Sequence, residues 1–327
     1  MDKKCIGVDI GGTKISVCIG EKSGKVYASK RIATASVSGW QEGIRAICSM
    51  AFDLLKDLDL SSKDIGGMGI SAPGPVSVKE GKLLTPPNLS GWENAPVKDA
   101  LKRALPYPVS FNNDANAQAL AEYYFGEYKG TKELTYLTCS TGMGAGIITQ
   151  GRLLQGASDT GGEVGHFVLD IQGPLCPCKQ SGCFEMYCGG ANFRRRVQEA
   201  LQRSSRPSRI LEEAGGKIAD VDLIHIERAL LQKDPLAEEM WEEFTTRLAQ
   251  GIGTILMILN PEVVLLGTIA QHMKDLLLPK LEEKLPRYSW SMPRKAAKIA
   301  VSSLGEKISE LAGIALAKSL DFGKKHA

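Results

Sequence analysis

Residues 5–19 read CIGVDIGGTKISVCI. Apolar, β-prone residues run from Cys5 to Asp9, Gly11-Gly12-Thr13-Lys14 breaks them, and the pattern resumes from Ile15 to Ile19. This is strand, glycine turn, strand. The pattern returns in residues 139–149, CSTGMGAGIIT: a strand over Leu134–Cys139, a turn over Ser140–Gly144 and a strand over Ala145–Thr149. One such unit at the head of each half predicts two similar lobes facing one cleft.

Further along, a third strand is expected over Val26–Ala33, and helical spacing of Ile44, Ile47, Ala51, Leu54, Leu55 and Leu58 predicts a helix over Trp40–Leu58. Ile65–Ser71 reads as a strand, followed by an ordered Pro/Gly-rich loop from Pro73 to Asn88. Val109–Phe111 is a buried strand running into Asn112-Asn113-Asp114, and Asn113 or Asp114 is placed to cap the helix that follows. The remainder is mainly helical. Trp241, Phe244, Leu248, Ile252, Ile255, Leu256 and Leu259 form one stripe that stops at Asn260-Pro261. Strands are expected at Val263–Leu266 and Ile299–Ser302, a closing helix over Leu311–Leu320, and a frayed tail from Gly323 to Ala327. Alternating strand and helix signals make this an α/β protein.

Composition narrows the function classes. A chain of 327 residues with 43% hydrophobic content can bury a real core, which excludes disorder over most of its length. Net charge is only +3, which does not suggest a nucleic-acid or membrane-surface protein. The richest apolar stretch, Ile252 to Gly267, is interrupted by Asn260, Pro261 and Glu262 and is too short to span a bilayer. The N-terminus lacks an apolar signal core, so a cytoplasmic location is expected. Eight cysteines are too few for a disulfide scaffold, yet four fall between Cys176 and Cys188, which favours a metal.

The first turn offers phosphate chemistry. Its glycines let backbone N–H groups approach an anion, Thr13 adds a hydroxyl and Lys14 a charge. Asp9, at the strand end, is a candidate to hold Mg²⁺ through water beside the same phosphates. The sequence is not a Walker A motif. Thr141, Gly142, Gly144 and Gly146 supply a second set of donors. Asp114, following a buried strand, suits a carboxylate that takes a proton from an attacking alcohol, although a helix cap is the plainer reading for Asn113-Asp114.

His166, Cys176, Cys178 and Cys183 make one imidazole and three thiolates, a closed set that structural Zn²⁺ prefers. Four protein ligands leave no position for a zinc-bound water, so a catalytic zinc is disfavoured. Gly173 and Gly182 let the loop fold back, and Cys5, Cys18, Cys48, Cys139 and Cys188 read as core thiols. Glu163 and Glu185 flank the ligand set. Two carboxylates and a ring nitrogen of His166 suit recognition of a polyol.

DIGGTK, SAPGPV, NNDANAQALAE, STGMGAG, GGEVGH, CPCKQSGCFE and NPEVVLLG, in this order over nearly the whole chain, resemble the ROK group of sugar kinases and repressors within the actin-like ATPase superfamily. The resemblance implies a two-lobed actin-like (ribonuclease H-like) α/β fold with a zinc knot. It implies Asp114 as catalytic base. Asn113, Asp114, Glu163, His166 and Glu185 would hold the sugar, and His166, Cys176, Cys178 and Cys183 the zinc. Asp9, Gly11, Gly12, Thr13, Lys14, Thr141 and Gly142 would serve the nucleotide phosphates and Mg²⁺, with Gly267 at the adenosine. Two positions depart from the family pattern: Lys179 stands where a glycine is usual after the second knot cysteine, and Thr268 replaces the second glycine of a pair.

The expected lobes are residues 1–113 with 302–327, and residues 114–301. The expected activity is ATP-dependent phosphorylation of a hexose or N-acetylhexosamine at the 6-hydroxyl, as in the family's glucokinases, by a homodimer. Two rivals stand beside it: a sugar-sensing regulator of the same family, and an actin-like filament ATPase without a sugar set. Family repressors carry a DNA-binding winged helix ahead of the first phosphate turn. Here that turn begins within the first dozen residues, so a kinase without nucleic-acid or membrane partners is the favoured expectation.

Overall fold

The computed structural model describes residues 3–320, and the tail expected to fray lies outside the described residues. They form two compact units, one of residues up to 132, 146–162 and from 303 onward, the other of residues 133–145 and 163–302.

The first unit is built on strands β1 (Lys4–Ile10), β2 (Lys14–Gly20), β3 (Val26–Ala33), β4 (Ile65–Ala72) and β7 (Val109–Asn113) in the order β3-β2-β1-β4-β7, with a small hairpin, β5 (Val76–Ser77) and β6 (Lys82–Leu83), in the Pro/Gly-rich loop. The strands β1, β2 and β3 form an antiparallel meander, and β4 and β7 run parallel to β1. Burial on both faces explains the unbroken apolar runs of β1 and β2. Ile6, Val8 and Ile10 join the core with helix α1 (Trp40–Asp57), whose Ile44, Ile47, Ala51, Leu54 and Leu55 are buried as the spacing predicts. The alternate face receives α12 (Ile308–Ser319), which packs on β1 and β4. Glycine makes that approach possible: a Cβ on Gly69 would stand 2.0 Å from the Gly313 carbonyl oxygen. Helix α2 (Val97–Ala104) packs on β7, and α3 (Asp114–Phe125), which the sequence reading counted with the second lobe, packs in the first unit against α12.

The second sheet has the order β10-β9-β8-β11-β12, from β8 (Leu134–Cys139), β9 (Met143–Thr149), β10 (Arg152–Leu153), β11 (Val263–Leu266) and β12 (Lys298–Val301). In the second unit β11 runs parallel to both β8 and β12, and β9 continues into segment 146–162, where it pairs with β10. The two sheets share one strand order, a likeness in line with the two similar halves expected from the repeated strand–turn–strand pattern.

Helices α4 (Phe184–Cys188), α5 (Gly190–Arg203), α6 (Arg209–Glu213), α7 (Leu223–Leu231), α8 (Pro235–Leu259), α9 (Ile269–His272), α10 (Lys274–Lys284) and α11 (Ser291–Ala296) complete the second unit. The expected stripe lies on α8, where Trp241 stacks on Phe244 with ring centroids 5.1 Å apart. Asp234 accepts from the Ala237 N–H at the N-terminus of α8, Pro235 opens it, and Asn260 ends it in left-handed backbone at φ 44°. No helix among the described residues is long and apolar enough to cross a membrane.

Candidate active site

In the first unit the chemistry gathers where three parallel strands end. Asp9 on β1 lies in register with Ser71 on β4, and Ser71 with Asn112 on β7. Carboxyl ends of parallel strands are where α/β sheets place their ligands. Asp9 is buried, and Ser71 Oγ donates to its Oδ1 at 2.9 Å. Burial pushes its pKa up to about 6, with the Ser71 hydrogen bond and the Lys14 ammonium working the other way. A buried acid held this high suits a site where a cation restores the charged form.

The adjoining turn is braced from behind. Gly11 N–H donates to the Lys14 carbonyl at 2.9 Å, Thr34 Oγ1 to the Gly11 carbonyl at 2.7 Å, and Thr34 N–H to the Thr13 carbonyl at 2.9 Å. Gly12, Thr13 and Lys14 are exposed. Neither glycine adopts positive φ, so close backbone approach rather than a left-handed turn is what they provide.

Between β7 and α3, Asn113 is the N-cap: its Oδ1 accepts from the Asn116 N–H at 2.8 Å. Of the two cap candidates, the asparagine takes the role and leaves Asp114 as the first helical residue, half-buried, with Oδ1 accepting from the Ala115 N–H at 2.8 Å. A carboxylate there is favoured by the helix dipole. Asn112 Oδ1 accepts from both the Asn113 N–H (2.8 Å) and Asn116 Nδ2 (2.9 Å), so three buried asparagines fix the turn that carries Asp114. Asn112 and Asn116 were not singled out in the sequence. Two further asparagines beside a cap were the available signal.

In the second unit Ser140-Thr141-Gly142 closes with Ser140 N–H donating to the Gly142 carbonyl at 3.1 Å, and it rests on the start of α5, whose Gly190 and Ala191 N–H groups donate to the carbonyls of Ser140 and Thr141. Glu185, in the first turn of α4, grips the same turn: its Oε2 accepts from the Met143 N–H at 2.8 Å. Gly267 follows β11, its N–H bonded to the Leu137 carbonyl at 2.9 Å, and α9 starts two residues on.

His166, Cys176, Cys178 and Cys183 offer ligand atoms that all lie within 4.8 Å of one another. His166 Nδ1 is 3.7 Å from Cys176 Sγ, and Cys178 Sγ is 3.5 Å from Cys183 Sγ. A tetrahedral Zn²⁺ with ordinary Zn–S and Zn–N bonds separates its ligands by about 3.6–3.8 Å, so the four residues fit the ion. Burial and the neighbouring Cys178 and Cys176 thiols together push the Cys183 thiol up to about 12, a crowding that a dication would relieve. The loop closes as its glycines suggested: Gly182, at φ 71°, leaves no room for a Cβ, which would stand 1.6 Å from the Asp170 carbonyl oxygen. Lys179 also occupies left-handed backbone, at φ 74°, as does Thr268 at φ 51°. Both departures from the family pattern thus sit where glycine is the unstrained residue.

Glu163 precedes the short helical turn that carries His166. Burial of its carboxyl and the Glu185 carboxylate push its pKa upward, while His166 opposes them. The interaction places the three expected polyol contacts of this unit in one neighbourhood. The five thiols outside the ligand set, Cys5, Cys18, Cys48, Cys139 and Cys188, are all buried.

The ROK family model matches residues 5–319. The chain is 30% identical over 285 residues to a glucokinase of Thermotoga maritima, covering 87% of this chain and 88% of the relative. It is 29% identical over 319 residues to a xylose repressor of Caldicellulosiruptor bescii, covering 95% of this chain and 77% of that protein. Among solved structures it is similar to a ROK family glucokinase from Streptomyces griseus in complex with glucose and AMPPNP, with TM-score 0.80, 28% identity, and 97% and 99% of the two chains covered. The actin-like fold, the matched span and these relatives agree: the chain belongs to the ROK family.

Proposed function

We propose that this protein is an ATP-dependent sugar kinase that transfers the γ-phosphoryl group to a hydroxyl of a hexose or N-acetylhexosamine, in the manner of a glucokinase acting at the 6-hydroxyl. The arrangement of Asp114 carries the reading. It is the first residue of α3, behind a cap supplied by Asn113 and a turn fixed by Asn112 and Asn116. The turns Gly11–Lys14 and Ser140–Gly142, with their braced backbones, support nucleotide phosphate binding. The similarity to a glucokinase structure holding glucose and AMPPNP supports the same substrates.

In this reading Asn113, Asp114, Glu163, His166 and Glu185 bind and orient the sugar. Asp114 accepts the hydroxyl proton as the sugar oxygen forms its bond to the γ-phosphorus and the bond to the departing ADP breaks. Thr13, Lys14, Thr141 and the backbone N–H groups of Gly11, Gly12 and Gly142 hold the phosphates in line. Gly267 gives the adenosine a flat backbone neighbour. Asp9 would hold Mg²⁺ through water, and the ion when bound offsets charge on the phosphates. His166, Cys176, Cys178 and Cys183 would hold a structural Zn²⁺, which when bound would order the imidazole ring and the start of α4, and with it Glu185. A homodimer in the cytoplasm completes the proposal.

Likeness to a xylose repressor favours a second reading, a sugar-binding regulator without turnover. A coupled spectrophotometric screen of hexoses and N-acetylhexosamines with ATP and Mg²⁺ separates the two. Sugar-dependent ADP release supports the kinase; sugar binding with no ADP release across the panel supports the regulator; ADP release unaffected by any sugar overturns both.

A further inference from the structure

The edge of the first sheet carries a feature that phosphoryl transfer does not use. Strand β7 has β4 on one side and, among the described residues, no strand on the other. Beside this edge lies a cavity of about 490 Å³, all of whose lining residues belong to the first unit. Its volume is within the range of small-molecule sites.

The lining has two characters. Val109, Phe111, Leu120, Leu153, Leu316 and Leu320 make it mainly apolar. Lys98 and Arg152 add two positive charges from different elements, α2 and β10, and no Asp or Glu among the described residues lines the cavity. Neither cation has a carboxylate partner among the described residues. Ser110 and Ser319, whose hydroxyls lie 3.3 Å apart, bring further hydrogen-bonding groups. The walls are tied in place: Lys98 N–H donates to the Gly81 carbonyl at 3.0 Å, Gly151 N–H to the Lys132 carbonyl at 3.0 Å, and Asp159 Oδ2 accepts from the Val78 N–H at 2.8 Å.

We propose that this cavity is a binding site for a small amphipathic anion, a medium-chain or aryl carboxylate whose apolar body lies on Phe111, Leu120 and Leu153 and whose head meets Lys98 and Arg152. Apolar walls alone would take a neutral hydrocarbon. Two uncompensated cations in the same lining select against one and for a negative head. A bare inorganic anion would leave the apolar surface unused, and a free sugar offers neither charge nor apolar body. Asn112 also lines the cavity, and its carboxamide holds Asn113 and Asn116. An occupant therefore touches the network behind Asp114 without touching Asp114.

Calorimetric titration of the intact protein with sodium octanoate tests this, with octanamide and sodium acetate as the neutral-head and tail-less comparisons. Saturable binding of one octanoate per chain is expected, at least tenfold tighter than octanamide or acetate, and at least tenfold weaker in the Lys98→Gln/Arg152→Gln variant. Arg152 is exposed and Lys98 half-buried, so the variant keeps its melting temperature. Leu153→Ala, a second variant, should weaken octanoate and leave acetate unchanged. Equal affinity for octanoate and octanamide, unchanged affinity in the double variant, or uptake at many sites would overturn the proposal. None of these readouts depends on sugar kinase activity.

Discussion

Glu185 Oε2 accepts the Met143 backbone N–H at 2.8 Å. A residue two positions beyond Cys183 thereby holds the second glycine turn, so the candidate metal site and the turn proposed to bind phosphate share one support.

That link makes zinc removal visible at a distance. One zinc per chain is expected by metal analysis. Chelation, or Cys183→Ser, should lower the melting temperature by about 5 °C or more and speed hydrogen exchange at the Met143 amide. Protection of that amide unchanged on metal loss would separate the knot from the turn. Glu185→Ala should cost about 1–2 kcal/mol by leaving the amide without its acceptor, while Glu185→Gln keeps most of the stability.

Asp9 gives a pH signature. Its pKa of about 6 in the folded protein stands above its ordinary 3.8, so the native state keeps this proton where the unfolded chain has lost it. Its contribution to stability is therefore fully present below pH 4 and is lost as pH rises to 6, by about 3 kcal/mol at most. Asp9→Asn should melt higher than the parent at pH 7.5 and about equally at pH 4. A variant less stable than the parent at pH 7.5 would show that the carboxylate is stabilised by its surroundings instead.

The cap at α3 is measurable alone. Asn113→Ala removes the acceptor of the Asn116 N–H and should cost about 1 kcal/mol, with Asn113→Ser recovering most of it. Equal melting temperatures for all three proteins would deny the cap its role.

Thr268 combines a β-branched side chain with φ 51°. Thr268→Gly should raise stability by roughly 1 kcal/mol, seen as a melting temperature about 2–4 °C higher. A lower melting temperature would mean that the threonine side chain makes compensating contacts.

The sequence carried the parts of the fold that rest on local pattern. Apolar runs located β1, β2, β4, β8 and β11, helical spacing located α1 and α8, and Asn260-Pro261 marked where α8 stops. The strand–turn–strand repeat announced two similar halves, and their sheets share one strand order. Boundaries set by tertiary packing were less legible: α12 starts at Ile308 rather than Leu311, and β12 spans Lys298–Val301 rather than Ile299–Ser302. Helices α5, α6 and α7 merged into one helical region because their short apolar stripes give no separate starts and stops. One histidine and three cysteines close in sequence were enough to gather His166, Cys176, Cys178 and Cys183 as a candidate zinc set, since a ligand set needs only types and proximity in sequence. The contacts of Glu185 with Met143 and of Asp9 with Ser71 join positions 42 and 62 residues apart, and no local pattern encodes them.

The most direct measurement is steady-state turnover of Asp114→Asn with ATP, Mg²⁺ and the best sugar from the hexose screen, alongside calorimetric sugar binding. Turnover should fall by about 10²-fold or more while sugar affinity and melting temperature stay near those of the parent. Full turnover in the variant would contradict the assignment of Asp114 as the proton acceptor.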